Sequence, residues 1–150
     1  MGDYDGQLCL SDWRYRKKRT SIDTRLQQGL KAGYIEQDTP VLQQTRQQLD
    51  EYFNRKRQTF DIPLLMVGTD FQKQVWQALI DTPYGKTCSY LQLSKNIGNE
   101  KAVRAVASAN GANAISMMIP CHRIIGSDGS LTGYAGGLET KAYLLNLEHA

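Results

Sequence analysis

Apolar positions along the chain change their period several times, and each change predicts an element. Gln7-Leu8-Cys9-Leu10, after the turn signal Asp5-Gly6, predicts a short strand. No partner strand is legible before it, so an open strand edge is expected there, an aggregation liability. From Ile22 to Leu30 and from Val41 to Phe53 apolar residues recur at helical spacing, with Leu42, Leu49 and Phe53 on one stripe. Gly29, Gly33 and Pro40 punctuate the connection. Thr69 with Gln72 three residues later is a capping-box signature, and the helix it opens carries Phe71, Val75, Trp76, Leu79 and Ile80 on its inner face. At that spacing Trp76 reads as core rather than as a platform for stacking. Pro83-Tyr84-Gly85 turns the chain.

Ser89 predicts the cap of a further helix holding Leu91 and Leu93, Ile97-Gly98-Asn99 predicts a turn, and Glu100 to Ala109 a second helix with Val103 and Val106 inward. Helix, glycine turn, helix is the helix-turn-helix pattern, which many helix pairs share without binding anything. The outer face of the second helix offers Ala102, Ala105, Ser108 and Ala109, with Lys101 and Arg104 as its only cations. Small side chains let a helix backbone approach a surface closely, whereas a reader of major-groove base edges would carry more amides and arginines. Asn110 to Asn113 closes that helix and is expected to lead into a strand. The apolar run Ile119 to Ile125 predicts a buried strand bent at Pro120, which places Cys121, His122 and Arg123 at a bend facing a cleft. Gly126-Ser127-Asp128-Gly129 reads as a hairpin turn. Gly133 to Gly137 is a loop of little bulk whose N–H groups can face a ligand, and a last helix runs from Leu138 to Glu148 with Leu138, Ala142, Leu144 and Leu145 toward the core. The fold class is α/β (α+β): a small mixed domain over 1–63, shortened at its start, and a mostly helical domain over 64–150 that holds the helix-turn-helix and the cysteine.

Composition narrows the function classes. Hydrophobic residues at 41% and charged residues at 22% are those of a globular protein. No apolar stretch approaches the roughly 20 residues of a membrane span, and no signal-peptide pattern opens the chain. The expectation is a cytoplasmic protein, nuclear in a eukaryote, with no membrane partner. Three cysteines without a secretion signal read as reduced thiols. Two histidines far apart make a poor zinc site, so neither metal nor cofactor is expected. The net charge of +3 is modest, with 11 basic and 9 acidic residues up to Pro63 and 7 and 6 beyond it. Any contact with nucleic acid must therefore rest on a few placed cations rather than on bulk charge. The run Arg14 to Arg19 reads more simply as a solvated face than as a DNA patch, and stays outside the expected site.

A lone cysteine among aliphatics is usually inert core. Cys121 differs because an imidazole and a guanidinium follow it directly, and a histidine within reach of a thiol, directly or through one water, supplies the base that a cysteine nucleophile needs.

Pro120-Cys121-His122-Arg123, with Asn113 upstream and Gly133-Tyr134-Ala135-Gly136-Gly137 downstream, resembles the active site of the O6-alkylguanine-DNA alkyltransferases, and the resemblance runs from about Thr69 to Glu148. It implies repair of double-stranded DNA containing alkylated guanine, possible also for O4-alkylthymine, by one-step transfer of the alkyl group to Cys121. In this reading His122, oriented by Glu148, takes the thiol proton, and Asn113 ties the active-site turn. Tyr90, Tyr134, Ala135 and Gly136 bind the flipped base, and Arg104 fills the gap it leaves. Ser89, Lys101, Ala102, Arg104, Ala105 and Arg123 contact DNA from the minor groove. Ala135 stands where some members carry serine, so a hydroxyl contact is absent there. The thioether product cannot be hydrolysed, so the protein acts once, and a monomer is expected. Two alternatives stay open: a non-catalytic sensor of alkylated bases, which relatives build without the cysteine, and a cysteine hydrolase, for which the helix-turn-helix would be idle.

Overall fold

The computed structural model describes residues 1–149. In order they form β1 (Gly2–Tyr4), β2 (Gln7–Leu10), α1 (Arg19–Leu30), α2 (Pro40–Phe53), α3 (Asp70–Ile80), β3 (Cys88–Ser89), α4 (Tyr90–Asn96), α5 (Val103–Gly111), β4 (Ile124–Ile125) and α6 (Leu138–His149). Short 3-10 turns at Glu100–Ala102 and Cys121–Arg123 precede α5 and β4. The architecture is mixed α/β as expected, with two small two-stranded sheets, β1-β2 antiparallel and β3-β4 parallel. No helix among the described residues is long and apolar enough to cross a membrane.

The expectation that β2 lacks a partner is overturned. Asp5 and Gly6 both take positive φ, 51° and 77°, which is the two-residue hairpin geometry that matches strand twist, and the chain before them pairs with β2. Gly2-Asp3-Tyr4 has no apolar alternation, so its pattern does not announce a strand. The other edge of β2 is closed as well: the Leu8 N–H donates to Pro63 O and the Leu65 N–H to Leu8 O, both at 2.8 Å. Leu8 thereby joins Val41, Tyr52 and Ile62 in the same apolar cluster as Val75, Leu79, Val106 and Leu144, so the larger of two apolar clusters crosses residue 63.

The caps form where the sequence predicts them. Thr69 and Gln72 form the reciprocal capping box, and Ser89 Oγ accepts from the Gln92 N–H at 3.0 Å. Trp76 is core, its indole N–H donating to Ala109 O at 2.9 Å. On α2 the stripe is shifted: Leu42 is buried and Leu49 and Phe53 half-buried, while Tyr52 is fully enclosed. Ala109, expected on the outer face of α5, is buried too, because α3 packs along that side.

The run to Cys121 is not a strand. Met117 adopts the left-handed region at φ 73°, and the Ile119 N–H returns to Ile115 O at 2.9 Å, so the chain reverses. Pro120 then sits at φ −80°, ψ 64° with the Cys121 N–H on Ile119 O at 2.8 Å, an inverse γ-turn that proline's fixed φ favours. Two turns in succession leave Ile119 only an isolated bridge to Ser116, and the strand of this run is Ile124 and Ile125, paired with Cys88 and Ser89. The turn at 126–129 forms as expected, but no strand follows it among the described residues. On α6 Leu138 is 49% exposed, against expectation, and Lys141 is fully buried.

Because Leu8 belongs to the common core, Leu8→Ala is expected to cost about 2–5 kcal/mol in urea unfolding and to shift one cooperative transition. Two separable transitions would contradict a shared core.

Candidate active site

The turns around Pro120 bring Cys121 to the wall of a cavity of about 470 Å³, with Asn113, Tyr90 and Tyr134 beside it. Asn113 Nδ2 donates to Cys121 Sγ at 3.2 Å and to Ile119 O at 2.8 Å, and Asn113 Oδ1 accepts from the Ile115 N–H at 2.9 Å. One buried amide thus locks both arms of the turn and offers a proton to the sulfur. Burial raises the Cys121 pKa to about 11, the Asn113 bond opposing it. At neutral pH the resting group is the thiol, which needs a base.

His122 and Arg123 turn inward to Glu148. Glu148 Oε2 accepts from Tyr52 Oη at 2.7 Å, from His122 Nε2 at 2.8 Å and from Arg123 Nη2 at 2.9 Å, and Oε1 accepts from Arg123 Nε at 2.9 Å. Burial alone would raise the Glu148 pKa, but the bonds from His122 and Arg123 outweigh it and bring the group down to about 2. Arg123 balances that charge, and burial lowers the His122 pKa despite the carboxylate. His122 is accordingly a neutral ring with its proton on the nitrogen facing Glu148. Its other nitrogen, Nδ1, is buried without a protein partner and is free to accept a proton.

This arrangement corrects one expected role. Arg123 is buried on Glu148, donates to Thr82 O at 2.7 Å and lies 5.8 Å from the Tyr84 ring centre, so it is not a DNA contact. Gly136 backs onto Trp13, where an added Cβ would come within 2.5 Å of the ring. Tyr134 and Ala135 line the cavity, as does Tyr90, whose hydroxyl proton is within reach of Thr132 O at 3.1 Å and Gly133 O at 3.3 Å. Lys101, Arg104 and Ala105 are exposed, and Ala102 is half-buried. Ser89 is half-buried, its hydroxyl occupied by its own helix.

Several participants escape sequence reasoning. Arg16, inside the run that reads as a solvated face, is buried and pairs with Asp12 at 2.8 Å. It also donates to Gly111 O at 2.6 Å and Asn113 O at 3.0 Å. Asp12 accepts from Ser116 Oγ at 3.0 Å, and Trp13 Nε1 donates to Tyr134 Oη at 2.8 Å. The segment from Asp12 to Lys18 is therefore a wall of the cavity rather than a loose surface. Lys141 donates to Ile124 O and to Thr132 O, bracing β4 against the loop before Gly133; burial drops its pKa to about 8. No local signal distinguishes Arg16 or Lys141 from exposed cations. Among the described residues no three His, Cys, Asp or Glu side chains converge as a metal site.

Comparisons with known proteins agree with one another. Residues 70–150 match the family described as 6-O-methylguanine DNA methyltransferase, DNA binding domain, and residues 17–66 the 6-O-methylguanine DNA methyltransferase, ribonuclease-like domain. The chain is 50% identical over 117 residues to a methylated-DNA–protein-cysteine methyltransferase of Methanosarcina barkeri, covering 78% of this chain and 73% of that one. It is 51% identical over 112 residues to the constitutive Bacillus subtilis protein of that name, covering 74% and 68%. The crystal structure of Mycobacterium tuberculosis OGT in complex with DNA superimposes with a TM-score of 0.85 at 37% identity, covering 99% of this chain and 84% of that one.

The two titrating groups of the carboxylate cluster are both held below their ordinary values, so their contribution to stability exists at higher pH and is lost on acidification. That of His122 is complete above 6.5 and fades below it, and that of Glu148 is complete above 4.5 and fades toward about 2. The melting temperature is expected to fall as pH drops below 6.5 and more steeply below 4.5, with a shallower second fall in Glu148→Gln. A melting temperature independent of pH from about 7 to about 3 would contradict this cluster.

Proposed function

The chain belongs to the 6-O-methylguanine DNA methyltransferase family, and on that premise we propose that Cys121 is the acceptor in the direct repair of alkylated DNA. The activity is transfer of the alkyl group from methylated DNA to a protein cysteine, with double-stranded DNA as partner. The observation that carries the assignment of Cys121 is its place on the cavity wall with the neutral imidazole of His122 next to it in sequence, held by Glu148 at 2.8 Å.

In the proposed mechanism an O6-alkylguanine leaves the stack and enters the cavity. Its extrusion costs a few kcal/mol, less where the lesion has already weakened pairing. α4 and α5 act as a helix-turn-helix whose small outer residues Ala102 and Ala105 allow α5 to approach the minor groove, while Lys101 and Ser89 meet the backbone and Arg104 fills the gap in the stack. The Cys121 proton passes to His122 Nδ1 through one water, and the imidazolium that forms is stabilised by Glu148. The sulfur attacks the alkyl carbon; the S–C bond forms as the C–O6 bond breaks, and the electron pair leaves on O6. Tyr90, exchanging its bond to Thr132 O for the base, donates to the developing negative charge. Burial raises the Tyr90 pKa, which keeps that proton available. Tyr134 and Ala135 flank the base. The thioether product has no exit, so each molecule reacts once, as a monomer. We assign residues 64–150 to DNA binding and transfer, and residues 1–63 to a supporting domain that supplies Tyr52 and the wall from Asp12 to Lys18. A sensor would retain the cavity without the thiol, and Cys121 speaks against that reading.

Single-turnover assays on a duplex carrying one O6-methylguanine test the roles. Cys121→Ser is expected to lose transfer and keep binding, and Glu148→Gln to slow transfer about 10²–10³-fold, the range of a weakened general base. Transfer by Cys121→Ser, or an unchanged rate in Glu148→Gln, would overturn the assignment.

A further inference from the structure

The cavity that holds Cys121 is lined by four cations, Arg16, Lys17, Lys18 and Arg25, and by no carboxylate, in a chain with 18 basic and 15 acidic residues. Like charges around one concavity repel each other and focus positive potential there, an arrangement that suits an anionic ligand. Two of the four are already spent. Arg16 is bound to Asp12 and to the carbonyls of Gly111 and Asn113, and Arg25 Nη2 donates to Ala112 O at 2.7 Å, so both close the carbonyl end of α5.

Lys17 and Lys18 remain. Both are exposed, and among the described residues neither ammonium makes an ion pair or a hydrogen bond. Their backbone, by contrast, is fixed. The Lys17 N–H donates to Ala135 O at 3.3 Å, and Lys18 sits in the left-handed region at φ 59° as the residue that starts α1. Two free ammonium groups thus stand on a hydrogen-bonded segment that lines the cavity, to which α5 contributes the uncharged Ala107 and Ser108.

We propose that Lys17 and Lys18 bind the backbone phosphates of the nucleotide whose base enters the cavity, making the segment from Asp12 to Lys18 a second DNA contact beside α5. A base that enters a pocket leaves its two flanking phosphates at the rim, and the stretch of α5 that lines the cavity, from Ala107 to Gly111, carries no charged side chain. The inference rests on the proposed function, since it needs a nucleotide in this cavity. It also explains why Arg16 is buried while its neighbours are not: Arg16 anchors the segment, and the lysines reach outward from it.

The test is the salt dependence of binding to a duplex carrying one O6-methylguanine, measured in the Cys121→Ser background so that no transfer intervenes. Each phosphate contact contributes about 0.9 to the slope of log affinity against log salt. Lys17→Gln/Lys18→Gln is expected to lower that slope by about 1–2 and to weaken binding about tenfold at low salt, the slope change being that of one or two lost phosphate contacts. Lys17→Gln alone, free of the left-handed position, should give a smaller change of the same sign. Lys56→Gln, exposed and outside the cavity, serves as the reference for an ordinary surface lysine. A slope in the double and single variants equal to that of Lys56→Gln would overturn the proposal. If the Cys121→Ser parent itself shows no preference for the lesion duplex, the reading of the cavity as a base pocket fails instead.

Discussion

Most of this molecule is arranged around one buried carboxylate. Glu148 is 5% exposed and accepts hydrogen bonds from Tyr52, His122 and Arg123, which come from α2 and from the 3-10 turn after Pro120, while Glu148 itself stands at the end of α6. An ionised carboxylate removed from water is tolerable only when its charge is balanced and its lone pairs are filled. Arg123 supplies the balance, and Tyr52 and His122 complete the shell. Leaving that charge uncompensated by deleting a partner typically costs about 3–5 kcal/mol. The result is a histidine that burial keeps neutral, with Nε2 held by Glu148 and Nδ1 unpartnered, directly after a thiol whose pKa burial raises.

A second polar centre does the same for the cavity. The buried Asp12–Arg16 pair reaches Ser116, Gly111 and Asn113, and Trp13 reaches Tyr134. Asn113 in turn donates to Cys121, so the N-terminal segment is two hydrogen bonds from the sulfur. The N-terminal residues are therefore part of the geometry that holds the site and not an appendage to it. The two halves share a core through Leu8 and Tyr52 as well as these polar links.

Features specified within a few residues are legible in the amino-acid pattern alone. The caps at Thr69 and Ser89, the helical spacing of α1 to α3, the turn at Gly98 and the Cys121-His122 pair all depend on neighbours in sequence. What escapes the pattern depends on distant partners. Tyr52 stands next to the expected stripe of Leu49 and Phe53, and its partner lies 96 residues away. Arg16 cannot be told from the other cations of its run without the carbonyls of Gly111 and Asn113, and Lys141 looks like any exposed helical lysine until the carbonyls of Ile124 and Thr132 are placed around it. Arg123 reads as a DNA contact for the same reason, because nothing local announces that its fork is filled by Glu148. The run to Cys121 reads as a strand because its apolar content outweighs the single signal of Pro120.

The most direct test is the intact mass of the protein after incubation with a duplex containing one O6-methylguanine, followed by peptide mapping. The account predicts a gain of one methyl group, confined to the peptide that contains Cys121 and saturating at one equivalent. A gain on Cys9 or Cys88, more than one equivalent, or release of product with no gain at all would contradict it.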